Sequence, residues 1–214
     1  MKLIKYAHAC FVVEKDGQSL VVDPGEFTHN FELPERVVGV VITHQHPDHA
    51  GKSLLSDIVR RYPDVELFTT EDTDLAHTST IVQPGQTVSC GPFELVFSGG
   101  THAQIDASIP LIHNVGVTID RTLFYPGDSF ESTETPYEIL LLPVAAPWMK
   151  ISETLDFVRA EKPRVVIPTH DAILSEAGQG IADFLVSRAA TELSLSYRRL
   201  TPEQVSVEDL LAAS

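Results

Sequence analysis

The chain has 214 residues, 43% of them hydrophobic, which is enough for one sizeable core and points to a single domain over 1–214. Its 30 acidic and 15 basic residues give a net charge of −15, and with only isolated basic pairs ("RRYPD", "YRRL") the surface repels phosphate backbones, which argues against a nucleic-acid partner. The start lacks the apolar stretch of a signal peptide, "ILLLPVAAPW" is too short and proline-broken to cross a bilayer, and Cys10 and Cys90 make no disulfide framework, so a cytoplasmic protein without a membrane partner is expected.

In chain order, "CFVVEKDGQSLVVDPG" predicts a hairpin: two β-branched runs flank Asp16-Gly17, a pair suited to a tight primed turn. "RVVGVVIT" is a nearly continuous apolar run, the pattern of a strand buried on both faces. "AGKSLLSDIVRRY" carries Leu54, Leu55, Ile58 and Val59 at helical spacing and ends before Pro63. "VELFTT" is a strand, "QTVSCGPFELVFSGG" a second hairpin, and "HNVGVTIDRTLFYPGD" a third that turns at Asp120-Arg121. "YEILLLPV" is another buried strand, and "SETLDFVRAEKP" a helix whose capping box starts at Ser152 with Glu153. "RVVIPTH" is a strand running into a histidine, and "GQGIADFLVSRAATEL" a closing helix. Two strand-rich blocks, each followed by helices, predict a layered mixed α/β domain.

The chemistry sits where strands end. "HQHPDH" has the form His-x-His-x-Asp-His directly after a buried strand. His44 and His46 are two apart, so in an extended segment both imidazoles point the same way and can share one metal. Asp48 and His49 follow at once and can face a second ion. Further donors stand at later strand ends: His102 after the Gly99-Gly100 pair, Asp128 after Pro126-Gly127, and His170 in "IPTH"; Asp23 ends the first hairpin. Imidazoles mixed with carboxylates and no thiolate suit zinc, manganese or iron.

His44-x-His46-x-Asp48-His49 followed by His102, Asp128 and His170 resembles the metallo-β-lactamase superfamily. With "HACF", "VVDPG" and "LLLPVAAPW…IPTHDA", the chain resembles more closely its small single-domain metal-dependent hydrolases similar to ascorbate-6-phosphate lactonase. The resemblance implies an α/β fold, a four-layer αββα sandwich of two mixed β-sheets, with a binuclear site along one edge. It implies two divalent transition-metal ions, zinc foremost, with manganese or iron as alternatives. His44, His46 and His102 would hold the first, Asp48, His49 and His170 the second, and Asp128 would bridge them. Asp23 would support the ligands from behind. His113 rivals His102 as a ligand, but His102 directly follows a strand and the glycine pair.

The reaction implied is hydrolysis. A divalent ion lowers the pKa of bound water from about 16 to about 7, and Asp48 or Asp128 would orient the nucleophile and pass a proton to the leaving group. Ser129 and Cys10 lack a nucleophile's sequence context and read as structural. The expected partner is a small-molecule substrate: an ester, lactone or phosphate compound. Trp148, Lys150, Asn114 and Phe27 are candidate pocket residues, while His8 reads as structural and His29 and His77 as surface. The alternative is a non-hydrolytic metal- or ligand-binding protein on the same scaffold. Oligomeric state is not legible.

Overall fold

The apolar runs sort into two seven-stranded mixed sheets in a computed structural model that describes residues 1–200 and 204–214. The first sheet contains β1 (Lys2–Lys5), β2 (Phe11–Lys15), β3 (Gln18–Val22), β4 (Val37–Val41), β5 (Glu66–Thr69), β6 (Thr80–Ile81) and β14 (Gln204–Ser206), in the order β14-β1-β2-β3-β4-β5-β6. The second contains β7 (Thr87–Cys90), β8 (Phe93–Thr101), β9 (His113–Ile119), β10 (Leu123–Tyr125), β11 (Ile139–Pro143), β12 (Val165–Thr169) and β13 (Ser196–Tyr197), in the order β13-β12-β11-β10-β9-β8-β7. The helices are α1 (Lys52–Arg61), α2 (Ile151–Glu161), α3 (Glu176–Glu192) and α4 (Val207–Ala212). Among the described residues no helix is long and apolar enough to cross a membrane.

The sheets pack face to face over a core that includes Phe11, Leu20, Phe68, Phe97, Val117 and Leu141. On the outer face of the first sheet, α1 buries Leu55 and Ile58 against Val12, Val21, Val40 and Ile42. On the outer face of the second, α2 and α3 cover Phe124, Leu140, Leu142 and Val166 with Phe157, Val158, Ala182 and Val186. The result is the expected four-layer αββα sandwich. Both faces of β4, β11 and β12 are covered, which is why those strands are continuous apolar runs in the sequence.

Turn chemistry follows the sequence closely. Asp16 and Gly17 both take positive φ (51° and 70°) between β2 and β3, and Asp120 and Arg121 both lie at 50° between β9 and β10. Helix starts depart from it. The cap of α2 is Lys150, whose backbone N–H donates to Glu153 Oε2 at 2.6 Å, so Ser152 lies one residue inside the helix instead of capping it. Helix α3 starts at Glu176, ahead of the expected glycine, because Ser175 Oγ accepts from Gly178 N at 3.2 Å.

All strands that carry site residues run in one direction. β1, β3, β4 and β5 are mutually parallel, as are β8, β10, β11 and β12, so their C-terminal ends line one edge of the sandwich. The loops after β3 and β4 are tied together there by Glu26 N→Pro47 O (2.8 Å) and Gly51 N→Pro24 O (3.1 Å). Gly25 makes that approach possible, since a Cβ on it would lie 1.7 Å from Asp48 O.

Phe97, 1% exposed between the sheets with Phe68 as a ring neighbour at 6.3 Å, is expected to be a stability determinant. Phe97→Ala should cost about 3–5 kcal/mol by leaving a cavity. Urea unfolding should show this as a lower midpoint with an unchanged m-value.

Candidate metal centre

Six loops at the C-terminal strand edge deliver nine polar side chains to one place. His8 follows β1, Asp23 follows β3, and His44, His46, Asp48 and His49 follow β4. His102 follows β8, Asp128 follows β10 and His170 follows β12. Three overlapping groups have ligand atoms within 4.8 Å of one another: His44, His46 and His102; His8, Asp48, His49 and His170; and His44, His49 and Asp128. The seven donors expected from the sequence therefore meet.

Hydrogen bonds behind the cluster set which nitrogen of each imidazole faces inward. Asp23, fully buried, accepts from Thr43 N (2.8 Å), Thr43 Oγ1 (2.7 Å) and His49 Nδ1 (2.7 Å). Thr43 spends its hydroxyl proton on Asp23, so Oγ1 accepts from His44 Nδ1 at 3.0 Å. His102 Nδ1 donates to Ala103 O at 2.6 Å and His170 Nδ1 to Ala145 O at 2.5 Å. Carbonyl oxygens only accept, so each of these histidines carries a proton on Nδ1 and turns its Nε2 into the cluster.

His44 Nε2 then faces His46 Nδ1 at 3.1 Å, with His102 beside both at ring-centroid distances of 4.9 and 4.7 Å. Asp128 lies between the two groups. Its Oδ2 is 3.5 Å from His102 Nε2 and 3.1 Å from His170 Nε2, and its Oδ1 is 3.2 Å from His49 Nε2. Asp48 Oδ2 stands 3.4 Å from His170 Nε2 and 3.8 Å from His49 Nε2.

Nε2 of His49, His102 and His170 and Oδ1 of Asp128 are buried without a hydrogen-bond partner among the described residues. Such orphans cost about 1–3 kcal/mol each, more for charged groups. The titrating groups express the same demand for positive charge. Burial raises the carboxyl of Asp128, but His49 and His170 beside it outweigh that and hold it well below the usual carboxylate range. Burial disfavours the charged forms of His49 and His170, yet Asp128 raises both, His170 to about 9. Burial, reinforced by His49, holds His44 well below the usual imidazole range. Divalent cations among these inward nitrogens and carboxylates would engage every orphan, and the donor set of imidazole and carboxylate without thiolate fits a borderline transition metal.

The structure separates the remaining sequence candidates. His113 is exposed and pairs with Asp72 at 2.8 Å, outside the cluster, which leaves His102 in the ligand position. Asn114 is fully buried and cannot touch a substrate. It clamps the Asp128 loop instead, with Oδ1 accepting from Asp128 N (3.0 Å) and Nδ2 donating to Pro126 O (2.9 Å). Trp148 enters the site through its indole N–H, which donates to Asp128 Oδ2 at 2.8 Å. Lys150 is exposed at the N-cap of α2, two residues farther on. His29 is exposed, while His77 is half-buried, and neither belongs to a donor group.

His8 is structural, as the sequence suggests, but its contacts tie it to the cluster itself. It is fully buried, its Nδ1 accepts from Ala172 N (3.4 Å), and its Nε2–H donates to Asp48 Oδ2 at 3.0 Å. Its ring stacks 3.9 Å from that of His170, and its carbonyl accepts from His170 N at 3.0 Å. The sequence signal was available in the "HACF" placement, but β1 before it is the short, lysine-flanked "KLIK", which does not stand out as a strand.

Residues 2–170 match the beta-lactamase superfamily domain. Protein Rv0786c of Mycobacterium tuberculosis is 32% identical over 214 residues, covering 97% of this chain and 99% of its own. A UPF0173 metal-dependent hydrolase of Ignicoccus hospitalis is 25% identical over 198 residues, 79% of this chain and 82% of its own. Igni18, a metallo hydrolase solved from the same archaeon, has a TM-score of 0.70 at 22% identity, covering 95% of this chain and 97% of that one, a likeness of fold.

The contact between His8 and Asp48 generates a metal-affinity prediction. His8→Leu, which removes the N–H donor and keeps the bulk, should weaken metal binding by about 10–100-fold. His8→Gln, whose amide can still reach Asp48, should recover most of it. Competition with a chromophoric chelator reads both; equal affinities for the two variants would show that the donated hydrogen bond does not matter.

Proposed function

The chain belongs to the beta-lactamase superfamily and is a metal-dependent hydrolase; from that premise we propose that it works with two divalent ions on a small ester, lactone or phosphate-containing substrate. The observation that carries the reading is the division of the donors into two groups, His44/His46/His102 and Asp48/His49/His170, with Asp128 reaching both. Zinc is the preferred ion, with manganese and iron compatible with the same donors. Bound there, the ions supply Lewis acidity and lower the pKa of water to about 7.

The chain's own groups do the rest. His44, His46 and His102 would hold the first ion, and Asp48, His49 and His170 the second. Asp128 is 3% exposed and fixed from three sides, by Trp148 Nε1, by Asn114 through its backbone N–H, and by the histidines. It is built to hold position. Asp48 has 22% side-chain exposure, and His8 and His170 both approach its Oδ2. Its Oδ1 is the atom that orients water and takes its proton for delivery to the leaving group. Ser129 accepts from Glu131 N at 3.2 Å and lies 3.5 Å from Asn114 Nδ2, a structural setting with no base beside it.

The net charge of −15 supports a small molecule over nucleic acid as substrate. Cys10 and Cys90 are buried free thiols, which suits a reducing compartment, and we place a single-domain enzyme in the cytoplasm.

Metal analysis tests the binuclear site directly. The purified protein should carry two transition-metal equivalents. His46→Ala should lose one of them, and Asp128→Ala should lower chelator-sensitive hydrolysis of phenyl acetate, a lactone or bis-p-nitrophenyl phosphate by more than about a hundredfold. A single equivalent in the unaltered protein, or full activity in either variant, would rule out this assignment.

A further inference from the structure

A cavity of about 220 Å³ opens on the β6 and β8 side of the edge that carries the donor cluster. Its lining pairs the apolar Ile81, Val82 and Val115 with the polar Thr70, Gln83 and Glu71, and His113 stands at its rim. Val82, Val115 and Thr70 are buried and form its deep part, while Ile81 is 42% exposed on the edge strand β6. The cavity lies where the two sheets part at their β6 and β8 sides, and the register of the strands ties it to the cluster. β5 runs parallel to β4 with Val41 opposite Phe68 and Ile42 N bonded to Phe68 O, so the chain leaves β5 at Thr70 at the same edge where it leaves β4 toward His44. Val115 N donates to Thr43 O at 3.0 Å, and His113 pairs with Thr101, the residue before His102.

No lysine or arginine lines this space, and the histidine at its rim is held by Asp72. Glu71 adds a carboxylate. A phosphate or carboxylate arm would meet repulsion there, whereas an uncharged one can cover Ile81 and the buried valines. The volume is below the ~300 Å³ at which pockets begin to hold drug-sized ligands, so it accepts a fragment. Gly100, at φ 149°, keeps the cavity open, since a Cβ on it would stand 3.2 Å from Pro84 Cγ.

We infer that the cavity is the subsite for the apolar acyl arm of the substrate, so that the enzyme acts on neutral esters or lactones of acids with a short aliphatic chain or a single ring. This rests on the hydrolase reading of the adjoining metal centre and chooses within it: the bond broken is the acyl C–O bond, water's oxygen joins the acyl carbon, and the alcohol leaves with a proton.

Two measurements separate this inference from the reading beneath it. In metal-free protein with labelled Ile and Val methyl groups, hexanamide should give saturable shifts at Ile81, Val82 and Val115, and acetamide should not. Shifts confined to other sites, such as the exposed Ile181, or no saturable shift, would overturn the subsite. In the metal-loaded enzyme, phenyl hexanoate should exceed phenyl acetate in kcat/KM by at least about tenfold, chiefly through KM. Ile81→Glu, at an exposed edge position, should abolish that preference with both metal equivalents retained. Equal kcat/KM for the two esters in the unaltered enzyme would again overturn the subsite. Turnover of neither ester, with the methyl shifts intact, counts against the ester reading of the metal centre and leaves the cavity's affinity for apolar chains standing.

Discussion

One buried carboxylate orders both halves of the site. Asp23 accepts three hydrogen bonds, two from Thr43 and one from His49 Nδ1. Because it takes the Thr43 hydroxyl proton, Thr43 can only accept from His44, and so His44 too presents its bare Nε2. A single anion thus fixes the Nδ1 side of one imidazole in each of two donor groups without touching the space between them. That works only if Asp23 is held against the β4 loop, which explains the tight pairing of the loops after β3 and β4 and the need for glycine at position 25.

Three residues of this region are held in left-handed backbone: His8 at φ 59°, Asp23 at 44° and His170 at 56°. Non-glycine residues there cost on the order of 1–3 kcal/mol each and persist only when their surroundings impose them. Here the surroundings are mutual. His8 O accepts from His170 N and from Lys5 Nζ, and Asp23 N donates to Val41 O. The same sharp turns that strain the chain bring β1, β3 and β12 to an end at one place and swing their next side chains inward. Strain and convergence are one feature of the edge.

What the sequence made legible follows from how strongly each signal is coded. The seven converging donors were readable because each follows a strand, and strands buried on both faces are unmistakable apolar runs: "VVGVV" before His44, "LFY" before Asp128, "VVIPT" before His170. Short edge elements such as β6, β13 and β14 carry two or three residues each and no periodicity, so they were not legible. β1 was not legible for a related reason, and with it the contact of the structural His8 to Asp48. Asn114 was misplaced because the sequence shows an amide beside a strand start but not that its β9 position points into the protein. The helix starts shifted by a residue or two because the capping groups were a backbone N–H of Lys150 and a serine ahead of an apparent glycine stop.

The burial of the donors also sets the direction of approach. His44, His49, His102, Asp128 and His170 are buried, whereas His46 and Asp48 retain partial exposure. One residue from each donor group therefore opens to solvent, and both come from the same loop, on either side of Pro47. Under the proposed binuclear reading, a substrate would reach the cluster across that loop. Its reacting carbon would lie over the junction near Asp128, with Asp48 on one side as the carboxylate able to move a proton and His46 on the other. The cavity reaches the cluster through Val115 and His113, partners of Thr43 and Thr101, on the side where His102 and His46 lie 4.7 Å apart. An acyl arm seated there leaves the leaving group on the Asp48 side, where the proton is needed. The asymmetry of exposure within "HQHPDH" thereby gives the site a polarity that its ligand set alone does not have.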